Sequence, residues 1–340
     1  MEQHNTLEIH DLEISFGSDD DEVDIIKRLS LSVPKGSIVT IVGESGCGKS
    51  ITAHSIMQLL PDSGRIKGGS IILHGNEGPP IDLAQLNPNE IQMRRIRGQR
   101  LGMIFQDTMS SLNPVQTVGH QVAEKLVLNA DVSKRAARQS VVEMFSHLGI
   151  PSPEQRYDQY PHEFSGGMRQ RVMIAMAMIC DPDLIIADEP TTALDVTIQA
   201  QITEILLQLA KERGKSIILI THNMGLVAEM ADFVAVMYMG RVVEHGPVQD
   251  IFTAPTHPYT RALLASVPVL NMDRDKPLAT IAGTTPDPRQ LGSRCDFADR
   301  CPFVHDTCLE EAVPMHIVNE RHSARCVLVK RGKVATYANG

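Results

Sequence analysis

The sequence has no tryptophan and few other aromatic residues, with eight Phe and five Tyr among 340 residues. It also lacks an apolar run that could cross a bilayer, which takes about 20 residues, since its longest clear run is 172–180. Its first residues are polar and acidic, unlike the apolar region of a signal peptide. We therefore expect any membrane-spanning part of its function to come from another chain.

Basic residues are in the minority. The 32 Lys and Arg against 41 Asp and Glu give a net charge of −9, which is poorly suited to binding nucleic acid through its phosphates. The six cysteines are few and consistent with a reducing compartment. No nucleic-acid partner is expected.

The most informative stretch is a glycine-rich turn that follows the apolar run 38–42. It has the spacing G-x-x-x-x-G-K-S and is followed by a helix-forming segment. The candidate nucleotide-binding residues of this stretch are Gly43, Glu44, Ser45, Gly46, Cys47, Gly48, Lys49, Ser50 and Ile51. Glycines let successive backbone N–H groups converge on phosphate oxygens, and the helix dipole adds positive potential. Lys49 would reach the β- and γ-phosphates, and Ser50 would bind Mg²⁺. The stretch predicts nucleoside triphosphate binding.

Another apolar run, 184–187, is followed by the adjacent carboxylates Asp188 and Glu189. A buried strand would deliver them to the edge where open α/β sheets bind ligands. Such a pair is often only a helix cap, but after a phosphate loop it indicates ATP hydrolysis, with Asp188 at Mg²⁺ and Glu189 as the base that activates water. The last predicted buried strand, 216–220, precedes His222, which we expect to contact the γ-phosphate.

The remaining pattern places these motifs in a larger fold. Residues 7–42 alternate in short runs typical of antiparallel strands. Phe16 ends the first run, where its ring would be either a core residue or a platform for adenine. Apolar spacing is helical from 88 to about 160, and the Ser-Gly-Gly sequence at 165–167 begins a further helix whose N-terminus can bind an anion or simply be capped.

These elements together resemble the nucleotide-binding subunit of ATP-binding-cassette (ABC) transporters over residues 5–250. The matching residues are Gly43 to Ser50, Gln106, Phe164, Ser165, Gly166, Gly167, Met168, Asp188, Glu189, Ala193, Leu194, Asp195 and His222. The signature differs from its commonest form, since Phe164 stands for Leu and Met168 for Gln. Stretches 164–175 and 187–197 resemble the dipeptide/oligopeptide importer branch, and 257–264 resembles the start of its C-terminal extension.

The resemblance implies an α/β fold of the P-loop NTPase, ABC type. It has a mixed-sheet core, an antiparallel β subdomain and a helical subdomain at about 88–165. The ATP-binding domain would span 1–255, and a small cysteine-containing extension would span 256–340.

The resemblance also implies how two such chains would work together. They would pack head to tail, so that ATP held by one phosphate loop is capped by residues 165–167 of the other chain. Phe16 would stack on adenine, Gln106 would sense the γ-phosphate and Mg²⁺, and Asp195 would couple the two sites. Lys49, Glu189 and His222 would be the catalytic residues.

The implied function is import of di- or oligopeptides driven by ATP. The partners would be two transmembrane permease subunits, a second ABC ATPase subunit (related or identical) and, indirectly, an extracytoplasmic substrate-binding protein. The chain would be peripheral, at the cytoplasmic face of the cell (inner) membrane. Import of nickel, a sugar or an antimicrobial peptide would use the same machinery, whereas a soluble ABC ATPase acting on nucleic acid is disfavoured by the acidic charge.

Four of the six cysteines crowd into the extension as C-x5-C-x6-C-x17-C, namely Cys295, Cys301, Cys308 and Cys326. In a cytosolic protein this favours metal binding over disulfides. The spacing lacks the tight pairs of structural zinc sites and is not a common ferredoxin pattern. Resemblance to the importer extension favours a [4Fe-4S] cluster, with Zn²⁺ or unliganded thiols as the alternatives.

Overall fold

The computed structural model describes residues 4–18, 21–75, 78–192, 194–267 and 280–330. Ala193 of the matching motif, and residues 268–279 and 331–340 of the predicted extension, lie outside the described residues. The strands are β1 (Asn5–Phe16), β2 (Val23–Pro34), β3 (Ile38–Val42), β4 (Gly64–Leu73), β5 (Ile81–Asp82), β6 (Leu101–Ile104), β7 (Leu184–Asp188), β8 (Ser216–Ile220), β9 (Phe233–Tyr238), β10 (Arg241–Pro247), β11 (His316–Asn319) and β12 (His322–Ala324). The α-helices are α1 (Lys49–Ile56), α2 (Ile91–Gln99), α3 (Thr108–Ser111), α4 (Val118–Asn129), α5 (Lys134–His147), α6 (Pro153–Tyr157), α7 (Gly166–Met178), α8 (Val196–Arg213), α9 (Met224–Met230), α10 (Val248–Thr253), α11 (Pro258–Ala265), α12 (Asp306–Glu310) and α13 (Val327–Lys330).

Within the predicted antiparallel range 7–42, β1 and β2 form two long antiparallel strands as predicted, whereas residues 38–42 form β3, which pairs in parallel with β8 and β9. β1 pairs with β2 on one side and β4 on the other, and β5 completes this sheet. Leu7, Ile9 and Ile14 of β1 are almost completely buried. The alternation shifts at a bulge around Asp11, whose φ is 44°, so that Leu12 also faces the core.

The second sheet has the strand order β11-β12-β10-β9-β3-β8-β7-β6. Strands β9, β3, β8, β7 and β6 run parallel, while β10, β12 and β11 add antiparallel pairs. Every residue of β3, β7 and β8 is buried, because both faces of these strands are covered. The predicted mixed-sheet core is confirmed.

The prediction that 216–220 is the last buried strand is wrong. β9 follows it, is buried along its whole length and pairs in parallel with β3. A short apolar run has no period that separates a buried strand from a buried helix, and for this reason the sequence did not identify β9.

The helical pattern predicted between 88 and 160 corresponds to α2 and α3 to α6, with β6 between them. Helices α4, α5 and α7 share a buried cluster with one face of the large sheet, including Phe145, Met173 and Ile185. The opposite face, including Leu184 and Ile186, packs against the antiparallel sheet. Alternate residues of β7 therefore face two different cores, and the sheet lies between the helical layer and the smaller sheet.

The C-terminal segment continues the large sheet, because β12 pairs with β10 and β11 pairs with β12. The buried carboxylate of Glu244 on β10 accepts hydrogen bonds from the N–H groups of Thr256 and His257 at 2.6 and 2.8 Å, and it lies 2.7 Å from Nε2 of His322. The extension is thus attached through both strand pairing and buried polar contacts. No helix in the described ranges is both long and apolar enough to span a membrane.

Candidate nucleotide-binding and catalytic site

The predicted phosphate loop, residues 43–50, joins the carboxyl end of β3 to the start of α1. Gly48 caps α1 with a φ of 101°, in the left-handed region, and a Cβ atom there would lie 2.6 Å from Cδ1 of Ile26. A Cβ atom at Gly43 would lie 2.1 Å from the carbonyl oxygen of Met237, at the end of β9. The backbone contact at Gly43 leaves no room for a side chain, and the left-handed φ of Gly48 disfavours any residue other than glycine, so both glycines suit the tight path of this loop.

The Lys49 side chain lies inside the loop and is 7% exposed. Its Nζ atom donates hydrogen bonds to the carbonyl oxygens of Gly43 and Glu44, both at 2.9 Å. A buried ammonium group needs strongly polar or anionic partners. Phosphate oxygens can replace these carbonyl groups, and the position of Lys49 therefore suits the predicted phosphate contact.

Asp188 ends β7 and is 4% exposed. Burial raises the pKa of its carboxyl group, while a hydrogen bond with Ser50 lowers it by less. Its Oδ1 atom is buried and has no hydrogen-bond partner among the described residues. An unpartnered carboxylate oxygen beside a hydroxyl group fits a hard cation such as Mg²⁺, which prefers oxygen ligands.

Glu189 is the centre of a small polar network. Its Oε2 atom accepts hydrogen bonds from Oγ1 of Thr192 at 2.8 Å and from Nε2 of Gln106 at 3.2 Å, and its Oε1 atom lies 3.1 Å from Nδ1 of His222. Burial raises the pKa of Glu189, but the hydrogen bonds from Thr192 and His222 and nearby positive charges together outweigh it, so the net pKa is lowered. The carboxylate is therefore ionised at neutral pH and able to accept a proton.

The sheet topology brings this network together. β7 and β8 are adjacent and parallel, so Glu189 and His222 leave the same edge. The N–H of Glu189 donates to the carbonyl oxygen of Ile220 at 2.9 Å, and Glu189 has a φ of 48°. A non-glycine residue in this left-handed conformation is uncommon, and such residues are concentrated at functional sites.

Three predicted features lie outside this network. Phe16 ends β1 and packs over Gly64, where a Cβ atom would lie 2.8 Å from the Phe16 ring. Ser165 caps α7 and Asp195 caps α8, each accepting a hydrogen bond from an N–H group in the first turn. Within the described ranges, no hydrogen bond joins either cap to the phosphate loop, and their predicted action on a second chain stays a prediction.

Sequence reasoning missed three residues that contact the site. Thr192 binds the Glu189 carboxylate, the Tyr259 hydroxyl accepts a hydrogen bond from the Glu44 N–H at 2.9 Å, and Arg300 pairs with the Glu44 carboxylate at 2.7 Å. A hydroxyl group a few residues after a carboxylate often bonds to it within a turn, so the spacing of Thr192 from Glu189 could have predicted this contact. Tyr259 lies in the stretch that resembles the extension, but no local pattern pointed to Arg300.

The four cysteines of the extension line one cavity of about 20 Å³. Burial raises the pKa of the Cys295 thiol to about 12 and that of Cys326 to about 11, whereas metal binding requires thiolates. In the described part of the chain, no group of three or more His, Cys, Asp or Glu side chains is arranged to hold a metal. The predicted iron–sulfur cluster and its zinc alternative are therefore not supported.

Two family models match the chain. Residues 26–192 match the ABC transporter family, and residues 243–308 match the C-terminal region of oligopeptide/dipeptide transporters. The dipeptide transport ATP-binding protein DppD of Bacillus subtilis is 47% identical over 323 residues, which cover 95% of this chain and 94% of that protein. This chain belongs to the ABC transporter family. The predicted family, its oligopeptide/dipeptide branch and its enzyme class, an ATP-hydrolysing subunit, are confirmed.

A second relative and a solved structure extend the comparison. The oligopeptide transport ATP-binding protein OppD of Bacillus subtilis is 47% identical over 324 residues, which cover 95% of this chain and 88% of that protein. A dimeric ATP-binding cassette solved with ADP and phosphate matches with a TM-score of 0.62 and 24% identity, over 71% of this chain and 98% of that one. The predicted ABC-type α/β fold is confirmed.

Proposed function

We propose that this ABC subunit hydrolyses ATP to drive the import of di- and oligopeptides through a membrane permease. The observation that supports the cargo class is the match of residues 243–308 to the oligopeptide/dipeptide transporter region, in a chain with relatives named for dipeptide and oligopeptide transport. The ATP site itself does not distinguish one cargo from another. Nickel, sugars and antimicrobial peptides are therefore outcomes of the test below.

ATP would bind with its phosphates on the loop at 43–50 and with adenine stacked on Phe16. Lys49 would exchange the two carbonyl groups it now contacts for β- and γ-phosphate oxygens. Ser50, Gln106 and Asp188 would hold Mg²⁺, which offsets the negative charge of the phosphate oxygens when bound. The unpartnered Oδ1 atom of Asp188 supports this assignment.

Glu189 would act as the general base. An attacking water placed between its carboxylate and the γ-phosphate would transfer a proton to the carboxylate as the water oxygen bonds to the γ-phosphorus. The bond from that phosphorus to the β–γ bridging oxygen would break, and ADP would be the leaving group. Thr192 and Gln106 fix one carboxylate oxygen and His222 contacts the other. This arrangement limits the rotation of the base, and a fixed base reduces the entropic cost of reaching the transition state.

A second cassette would complete each site. The cap at 165–167 would approach the ATP held by the partner cassette, since the start of a helix favours an anion, and Asp195 would couple the two sites. Ser165 is exposed, and its hydroxyl group accepts a hydrogen bond from the Met168 N–H of its own helix at 3.4 Å, which supports an open position for such a contact. The partner is a second copy of this chain or a related ABC subunit.

The remaining partners follow from the transporter assignment. The helical layer at about 88–165 would contact two permease subunits, and an extracytoplasmic binding protein would deliver the peptide. The chain would then lie at the cytoplasmic face of the membrane as a peripheral subunit. The division into an ATP-binding domain, 1–255, and an extension, 256–340, belongs to the same proposal, and nucleic acid is not among the proposed partners.

The cargo proposal is tested by returning this chain to cells that lack it. Uptake of radiolabelled di- and oligopeptides is expected to rise several-fold over an empty vector, while nickel and sugar uptake stays unchanged. A rise confined to nickel, a sugar or an antimicrobial peptide would reject peptide as the cargo. Fractionation of the chain with nucleic acid, and not with membranes, would reject the transporter role.

A further inference from the structure

The C-terminal extension touches the phosphate loop directly. The guanidinium group of Arg300 pairs with the carboxylate of Glu44 through two hydrogen bonds, Nη1 to Oε2 at 2.7 Å and Nη2 to Oε1 at 3.0 Å. The Arg300 side chain is only 5% exposed, and that of Glu44 is 25% exposed. Parallel two-bond pairs of this kind fix orientation as well as charge.

Tyr259 holds the backbone of the same residue. Its hydroxyl group accepts a hydrogen bond from the N–H of Glu44 at 2.9 Å, and the tyrosine is completely buried. Burial strongly raises the pKa of this hydroxyl group and keeps it neutral. Glu44 is thus held at its side chain by Arg300 and at its main chain by Tyr259.

A cluster of three aromatic rings supports these two contacts. In a chain so poor in aromatic residues, three rings meet here, with centroids 4.7 Å apart for Tyr238 and Tyr259, 5.3 Å for Tyr238 and Phe297, and 5.4 Å for Tyr259 and Phe297. Nη1 of Arg300 also donates to the Tyr238 hydroxyl at 3.3 Å. The buried Asp296, next to Phe297, pairs with Arg241 of β10 at 3.0 Å. Rings and ion pairs therefore fix the segment that presents Arg300.

Glu44 links this aromatic cluster to the ATP site. The carbonyl oxygen of Glu44 accepts a hydrogen bond from Nζ of Lys49 at 2.9 Å, so Glu44 is shared by the extension and the phosphate-binding lysine. Without Arg300, the Glu44 carboxylate would stand unpaired in a loop that must accept a polyanion, and like charges repel strongly in a partly buried site.

We propose that Arg300 and Tyr259 are positioning residues for the phosphate loop, and that the C-terminal extension thereby sets the affinity of the chain for ATP. Arg300 neutralises and orients the Glu44 carboxylate, and Tyr259 holds the peptide group that precedes the turn. This inference rests on the nucleotide site proposed above. It assigns the extension a function in ATP binding that is separate from cargo.

The test compares Arg300→Ala with Arg294→Ala in the full chain. Arg294 is a suitable control because it also lies in the extension but pairs at 2.7 Å with Asp299, which is exposed. Arg300→Ala is expected to raise both the Kd for a fluorescent ATP analogue and the KM for ATP about tenfold, the scale of one charge-assisted contact, with little change in kcat. Arg294→Ala should keep the parental values.

A double-mutant cycle with Glu44→Gln shows whether Arg300 acts through Glu44. In the Glu44→Gln chain, which has no charge to neutralise, Arg300→Ala is expected to change Kd by less than about twofold. Tyr259→Phe in the parental chain should raise Kd several-fold, because the Glu44 N–H loses its acceptor. If Arg300→Ala does not yield folded protein, Arg300→Gln takes its place in the same cycle.

The outcomes separate this inference from the site on which it rests. Parental Kd and KM in the Arg300 variant, or an equal loss with and without the Glu44 carboxylate, would overturn the positioning role. Lys49→Ala serves as the reference for the ATP site itself. If Lys49→Ala loses ATP binding while the Arg300 variant does not, only the further inference fails, and if Lys49→Ala binds ATP normally the nucleotide site fails as well.

Discussion

Replacing Lys49 by alanine is expected to abolish tight ATP binding. The Lys49 ammonium group is buried within the phosphate loop, where it now contacts two carbonyl oxygens. Two charge-assisted contacts to phosphate oxygens would be lost, each of about 1.5–3 kcal/mol, which lowers affinity by roughly 10²- to 10⁴-fold. Isothermal titration of the purified variant with ATP and Mg²⁺ measures this directly.

Lys215→Ala is the matched control for this loss. Lys215 immediately precedes β8, at the edge of the sheet opposite the site, and its Nζ atom pairs with Asp181 at 2.9 Å. Its removal also deletes one lysine but should leave ATP affinity unchanged. Unaltered ATP affinity in the Lys49 variant would contradict the assignment of residues 43–50 as the phosphate loop.

Replacing Glu189 by glutamine is expected to preserve ATP binding and stop turnover. Glutamine keeps the size of the side chain and can still contact Thr192, but its amide cannot accept the proton of the attacking water. Removing a general base lowers kcat by about 10²- to 10⁴-fold. The lowered pKa of Glu189 means that the parental carboxylate is ionised at neutral pH and ready for this step.

ATP binding and phosphate release, measured on the same preparation, separate the two effects. Glu204→Gln provides the control. Glu204 lies exposed on α8, so this substitution removes an equal charge at a position away from the network. The control should hydrolyse ATP at the parental rate. Hydrolysis at that rate by the Glu189 variant would mean that another group activates the water.

The parts of the site that the sequence could predict are those that belong to short local motifs. The structure gives a reason for two of the glycines: Gly43 lacks room for a Cβ atom, and Gly48 has a left-handed φ of 101°. Asp188 and Glu189 follow a fully apolar run that forms β7 as expected. His222 lies beside Glu189 because the adjacent parallel strands β7 and β8 end at one edge of the sheet, while its predicted contact with the γ-phosphate stays a prediction.

The parts that sequence could not supply depend on contacts between distant segments. Arg300 and Glu44 are 256 positions apart, and no sequence motif contains both of them, so nothing in the sequence pointed to their contact. β9 escaped detection because its short apolar run carries no strand-specific period. The cysteine spacing suggested a metal, but spacing does not report whether four thiols converge as ligands, and the described residues hold no such group.

The central claim, that ATP hydrolysis at Glu189 drives peptide import, is tested most directly by peptide uptake. Cells would carry either the native chain or the Glu189→Gln variant in its place, at matched levels in the membrane fraction, and receive labelled di- and oligopeptides. The account predicts uptake with the native chain and its loss with the variant. Equal uptake in both would contradict it.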